Sequence, residues 1–299
     1  MTWQQLSVTC QADQLTLVED LMLELGALSI SFRDAGDEPI YEPLPGDSRV
    51  WSESVVTATF AADSDPEALQ QLLAVGLPQK LAQSVTHDSF QDRDWELAYR
   101  QHFKSIQCAP NLWIVPTWID PPDPGATIIR LDPGLAFGTG GHPTTALCLE
   151  WLATQALDGL ELIDFGCGSG ILAIAAIKLG AGQVHAVDID PQALDACQSN
   201  MAINAVADTA IQRYLPDQFD RQGCDLLIAN ILAGPLLELL DQFVQLVRPG
   251  GSILLSGILE SQLNEVQSAY SKYFAMQPAR QRDDWVCIAG QRPEREDNV

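Results

Sequence analysis

The sequence predicts a doubly wound, mostly parallel α/β sheet preceded by a smaller α+β domain. Three observations carry this reading. From Leu160 onward, strand-like and helix-like segments alternate, as in the repeated βα units of a parallel sheet. A glycine-rich turn, DFGCGSG from Asp164 to Gly170, follows the first of those strands. Residues 1–90 follow a different order, β-α-β-β-α-β, which is that of a ferredoxin-like half-barrel.

In the N-terminal region Leu6, Val8 and Cys10 alternate as a half-buried strand does. Asp13 is a candidate cap for a helix whose face is Leu15, Val18, Leu21, Met22 and Leu25, ended by Gly26. Leu28, Ile30 and Phe32 alternate again, and an acidic loop follows from Asp34 to Asp47. Trp51 to Phe60 is rich in β-formers, and Asp65-Pro66 starts a second helix, since proline suits a first turn. Leu81 to His87 closes the region as a strand. Residues 91–104, with Trp95, Tyr99 and Phe103 at helical spacing, read as a linker helix, and 105–299 as the second domain.

That domain opens with strands at 113–118 and 128–131 around a Pro-rich turn, Pro121 to Gly125. Strand 160–165, helix 171–179, strand 183–188 and helix 191–203 follow. Strands near 210–214 and 225–229, a helix at 235–247, the turn Arg248 to Gly251 and strand 252–257 come next. A helix from 260 and two strands end the chain.

With 16 basic and 40 acidic residues the net charge is −24. Such a chain repels phosphate backbones, so direct nucleic-acid binding is not expected. A basic protein or a cationic small molecule is the better partner. The seven cysteines show no Cys-x-x-Cys or zinc-ligand spacing. Reduced thiols, no metal and a cytoplasmic location are therefore expected. The start, MTWQQLSVTC, is no secretory signal, and the longest apolar run, Ile171 to Ile177, is too short to span a bilayer. No long apolar face demands a dimer, so a monomer is expected.

Ligands of doubly wound sheets bind beyond the carboxyl ends of the strands, where the strand order reverses. Gly166, Gly168 and Gly170 lie there and let backbone approach a ligand. Their G-x-G-x-G spacing differs from the dinucleotide fingerprint G-x-G-x-x-G. The acid at Asp164 disfavours a pyrophosphate and favours the ammonium of a methionine moiety. Asp188, 18 residues past Gly170, ends the next strand and reads as the ribose ligand, while Asp190 caps the helix at Pro191. Asn230 leaves an apolar strand, where its amide can accept from an amine, bond a cofactor or form a turn. In FGTGGHPTT, Phe137 to Thr145, a pliable loop leads into a helix start. His142 reads either as a proton acceptor or as a structural residue before Pro143.

The segments LDPGLAFGTGGHPTT (131–145), LIDFGCGSGILAIAAIKLGA (162–181), AVDIDPQAL (186–194), IANILAGPL (228–236) and RPGGSILLSGIL (248–259) together resemble the class I S-adenosylmethionine methyltransferases, which are Rossmann-like. More narrowly they resemble the bacterial family that methylates protein L-eleven of the large ribosomal subunit. The resemblance implies S-adenosyl-L-methionine as cofactor and Thr145, Gly166, Asp188 and Asn230 as its contacts; Gly168 belongs to the same turn. It also implies a substrate-recognition role for the N-terminal domain. Its acceptor is a basic ribosomal protein, methylated on amino groups up to trimethylation. Many amino methyltransferases carry Asn-Pro-Pro-Tyr after this strand, whereas this chain has Asn-Ile-Leu-Ala from Asn230 to Ala233. Asn230 is therefore carried over as a ligand only, and Asn230 and His142 remain candidates for catalysis. Three other readings are a methyltransferase for a small cationic amine, an NAD-dependent oxidoreductase and a non-catalytic cofactor-binding regulator. The turn spacing and Asp164 argue against the second; only turnover separates the third.

Overall fold

The chain divides into two units, Met1–Gln101 and His102–Val299. The computed structural model describes residues 2–36, 51–91, 104–123, 125–132, 140–221 and 223–294. The expected linker helix, apart from its two end residues, and Phe137 lie outside the described residues.

In the first unit, strand β1 (Thr2–Gln11) pairs antiparallel with both β3 (Glu53–Phe60) and β4 (Thr86–Gln91), and β2 (Ser29–Asp34) joins β3 at the edge. The sheet order is β2-β3-β1-β4. Strand side chains alternate between faces. Leu6, Val8, Val56, Ala58 and Phe60 therefore share a core with Val18 and Met22 of α1 (Leu15–Glu24) and Leu73 of α2 (Pro66–Gly76). Between them Ser7 and Thr57 pair their hydroxyls at 2.8 Å on the other face. Asp65 caps α2, accepting from the Glu67 and Ala68 N–H groups at 3.0 and 3.3 Å. Two details differ from expectation. Asp13 lies inside a 3-10 turn, Ala12–Gln14, whose entry is held by the Gln14 side chain accepting from the Gln11 N–H at 3.1 Å. Leu81 belongs to a short helix, α3 (Gln79–Ala82), so the closing strand starts at Thr86.

The second unit holds a small sheet and a large one. Strands β5 (Ile106–Ala109), β6 (Leu112–Val115) and β7 (Thr127–Arg130) form the small sheet. The large sheet runs in the order β10-β9-β8-β11-β12-β15-β13, where β8 is Glu161–Phe165, β9 Gln183–Val187, β10 Ile211–Tyr214, β11 Cys224–Asn230, β12 Val247–Leu259, β13 Ala275–Met276 and β15 Trp285–Gln291. β14 (Arg280–Arg282) pairs with β15 off this path. The first five strands are parallel, and β15 runs antiparallel to β12. Helices α4 (Pro143–Leu152), α5 (Ile171–Lys178) and α6 (Pro191–Ile203) share one core with Leu162, Ile228 and Leu254. Helices α7 (Ala233–Glu238), α8 (Leu240–Leu246) and α9 (Leu263–Tyr270) share another with Ile163, Phe165, Leu227 and Leu255. Adjacent residues of one strand thus feed opposite layers, which defines double winding.

The single helix expected at 235–247 is two helices meeting at Leu239. The first starts earlier because Pro235 fits a first turn, where its missing N–H costs nothing. The expected turn at 248–251 lies within β12, where the Gly250 N–H donates to the Arg292 carbonyl at 3.0 Å. Among the described residues no helix is long and apolar enough to cross a membrane.

Candidate active site

The strand order reverses between β8 and β11, and the turn after β8 faces the end of β11 there. Gly166, Gly168 and Gly170 have φ of +78°, +51° and +74°, values that L side chains rarely adopt. The Gly166 N–H donates to the Val187 carbonyl at 2.7 Å, which ties the turn to β9. A β-carbon on Gly166 would collide with Cγ2 of Ile231, the residue after Asn230. The turn and the end of β11 are therefore in van der Waals contact.

Asp188 secures this turn. Its Oδ2 accepts from the Gly168 N–H at 2.8 Å and its Oδ1 from the Asp190 N–H at 3.0 Å. Each carboxylate oxygen keeps a further lone pair, enough for a vicinal diol. Asp190 caps α6 as expected, accepting from the Gln192 N–H at 2.9 Å.

Thr145 and Asn230 meet although 85 residues apart: the Asn230 Nδ2 donates to Thr145 Oγ1 at 3.4 Å. Thr145 is buried and Asn230 partly so. Among the described residues nothing donates to Asn230 Oδ1.

Asp164 sits differently from its expected role, and His142 takes the structural one of its two readings. Asp164 is covered by protein, with 1% exposure. Its Oδ2 accepts from the Ala173 N–H at 3.0 Å, and its Oδ1 has no partner among the described residues. It lies inside the turn and not on an open face. Burial pushes its carboxyl up to about 7, opposed by the Ala173 N–H and reinforced by the Asp188 charge. His142 is the N-cap of α4: its Nδ1 accepts from the Thr144 N–H at 3.4 Å and lies 2.8 Å from Thr144 Oγ1. Its ring meets Trp285 edge to face at 5.0 Å, and burial lowers its pKa. The cap engages the nitrogen that a general base would need free.

Sequence reasoning passed over Ser256 and Gly257 of β12. Ser256 is wholly buried, pairs with Asn230 in the parallel ladder and donates its hydroxyl to the Thr144 carbonyl at 3.2 Å. Their signal was a glycine inside an apolar strand run, which marks a bulge or a close backbone approach.

The residues fit an adenosyl cofactor. A carboxylate with spare lone pairs, a glycine turn that brings backbone forward and an amide oxygen that no described residue engages converge on one crevice. Sheet and crevice together define a class I methyltransferase, a Rossmann-like enzyme class that uses S-adenosyl-L-methionine. A model of the family described as Ribosomal protein L11 methyltransferase (PrmA) matches residues 2–293. The chain belongs to that family. It is 48% identical to the ribosomal protein L11 methyltransferase of Azotobacter vinelandii over 98% of this chain and 100% of that one. It is 45% identical to the one from Marinobacter nauticus, again over 98% and 100%. The crystal structure of ribosomal protein L11 methylase from Lactobacillus delbrueckii subsp. bulgaricus superposes with a TM-score of 0.59 at 37% identity, covering 64% of this chain and 100% of that one.

Proposed function

We propose that this protein transfers methyl groups from S-adenosyl-L-methionine to amino groups of ribosomal protein L11, on the α-amine and on lysine side chains, up to trimethylation. The observation that carries this reading is the approach of Asn230 to Thr145 at the reversal point, beside a glycine turn held by Asp188.

When bound, the cofactor supplies an electrophilic methyl on a sulfonium, and the protein supplies position and electrostatics. Asp188 would accept from the ribose hydroxyls with the lone pairs its backbone bonds leave free. The backbone of Gly166 and Gly168 would border the cofactor. Thr145 holds the Asn230 NH2, which aims Oδ1 at an N–H of the cofactor or of the incoming amine. That amine must be neutral to attack. Deprotonating a free lysine of pKa ~10.4 costs about 4.6 kcal/mol at pH 7, against about 1–1.4 for an α-amine near 7.7–8. The α-amine therefore reacts more readily unless the pocket is apolar. Ile231 and the half-exposed Leu232, which follow Asn230, supply apolar surface at that point.

The first unit is the recognition domain in this reading, and its sheet order supports a ferredoxin-like assignment. The first 104 residues hold 6 basic and 17 acidic side chains, a balance that favours a basic partner. A monomer acting in the cytoplasm completes the proposal, supported by seven buried cysteines with no disulfide among them.

Transfer from radiolabelled S-adenosylmethionine to purified ribosomal proteins, separated on a gel, tests the proposal. Label in the L11 band with the wild type, absent with Asp188→Ala, is the expected result. Label in no protein band, with cofactor still bound, would remove the protein substrate.

A further inference from the structure

The edge between β12 and β15 carries an irregularity with no role in the sheet itself. Leu255 pairs with Ile288 and Ile258 with Val286. Two residues of β12, Ser256 and Gly257, thus face a single residue of β15, which is a β-bulge. Gly257 sits at φ +83°. On its other side β12 stays in register with β11, with Ser256 opposite Asn230. The bulge is therefore adjacent to the residue that ends β11 at the site.

Its two residues make two separate contacts there. The Ser256 hydroxyl donates to the Thr144 carbonyl at 3.2 Å, with the Val286 carbonyl second at 3.5 Å. This anchors the first turn of α4, which carries Thr145. Gly257 packs against the backbone just past Asn230. A β-carbon there would lie 2.7 Å from the carbonyl carbon of Ile231 and 3.2 Å from its nitrogen. Backbone cannot swing aside as a flexible side chain does, so a larger residue must push Ile231, and Asn230 with it. Bulges next to active sites re-aim side chains, and this one touches the chain neighbours of both partners of the Asn230–Thr145 pair, Thr144 and Ile231.

We propose that Ser256 and Gly257, at the β12 bulge, are positioning residues that set the geometry of the Asn230–Thr145 pair for methyl transfer. This rests on the functional reading above. Ser256 fixes where Thr145 stands, and Gly257 fixes how close Asn230 comes to it. Neither touches a ligand in this scheme, and both act through the pair.

The test compares wild type, Ser256→Ala, Gly257→Ala and the control Gly180→Ala. Gly180 has φ +113° and abuts the Asp158 side chain, its carbonyl accepting from the Gly159 N–H just before β8 at the amino ends of the strands. Its substitution is strained too, but remote from the crevice. A displacement of about 1 Å at a reacting centre costs roughly 100-fold in rate. At saturating cofactor and acceptor, kcat is expected to fall about 100-fold in Gly257→Ala and about 10-fold in Ser256→Ala on the same scale. Gly180→Ala should lose thermal stability and keep its kcat.

A second readout needs neither cofactor nor turnover. In protein labelled with 15N-asparagine, the Asn230 side-chain amide signals are assigned by their loss in Asn230→Asp. They should shift in Ser256→Ala and Gly257→Ala and stay in place in Gly180→Ala. If Gly257→Ala does not fold, Ser256→Ala carries both readouts. Unmoved amide signals, or an unchanged kcat, in folded Ser256 and Gly257 variants would overturn the proposal. Shifted signals in a protein whose wild type transfers no methyl group would support the positioning while sinking the functional reading.

Discussion

The two ends of the large parallel sheet are built from the same strands and meet water with opposite chemistry. At the amino ends, polar side chains bond one another. Glu161, which opens β8, lies 2.8 Å from Nε2 of the buried His185 and donates its own N–H to Asp225 at 2.8 Å. Asp225 in turn pairs with Arg248. At the carboxyl ends, the polar side chains bond backbone or each other with part of their capacity. Asp188 holds two N–H groups, and Asn230 uses its NH2 on Thr145. Among the described residues nothing donates to Asn230 Oδ1 there. Side chains already bonded to one another stabilise the fold. A half-engaged one is already oriented and can still take a ligand, which is how pre-organisation lowers the cost of binding.

The comparison would break first at Asp188. Hydrogen bonds to a charged group are worth about 1.5–3 kcal/mol each. Asp188→Ala removes the ribose acceptors and frees the Gly168 N–H. The dissociation constant for S-adenosylmethionine, measured by calorimetry, is expected to rise about 100-fold. Unchanged affinity would mean that the carboxylate serves the turn alone.

Asp164 sharpens the contrast through pH. Its folded pKa of about 7 lies above the unfolded value near 3.9. The folded state therefore binds more protons between those values, and stability falls as pH rises through that window. From about pH 5 to pH 8 the loss is on the order of 2 kcal/mol. Thermal melts of the cofactor-free wild type should show this decline, and Asp164→Asn should flatten it. Equal slopes for the two proteins would place the pH dependence elsewhere.

What the sequence disclosed depended on whether the signal was local. Helix α6 was read at its observed bounds because Asp190 and Pro191 are a cap and a first-turn residue side by side. The glycine turn was legible for the same reason, since three glycines in five residues dictate their own backbone. The Asn230–Thr145 pair joins residues 85 positions apart, and no periodicity announces that; the resemblance named both as cofactor contacts but not as partners. The β12 bulge was missed because it exists only relative to the register of β15. The acid at Asp164 was seen, but its burial was not. Composition says that a carboxylate is there, while packing decides whether it faces a ligand or the inside of a helix start.

At the amino end, Glu161→Ala takes the partner from the buried Nε2–H of His185. Leaving a buried donor unsatisfied costs about 1–3 kcal/mol. Glu161 is half-exposed and water can reach its place, so the lower limit applies. Denaturant titration should show about 1 kcal/mol of lost stability, with cofactor affinity unchanged. A weakened affinity would mean that the two ends of the sheet are coupled and the contrast between them is false.

The smallest effect belongs to His142, where structural and chemical readings meet in one side chain. As a cap, its Nδ1 satisfies the Thr144 N–H at the start of the helix that carries Thr145. Replacing a capping side chain by alanine costs about 1 kcal/mol, and a good capping residue restores most of it. His142→Ala should therefore lower stability by about that amount, and His142→Asn should regain it. Turnover separates the roles. A cap leaves His142→Asn near wild-type activity at every pH, because asparagine caps a helix but does not titrate. If His142→Asn folds as well as the wild type and still loses activity, with the loss following the pH range in which imidazole is neutral, the ring handles a proton, and the cap is only how it is held.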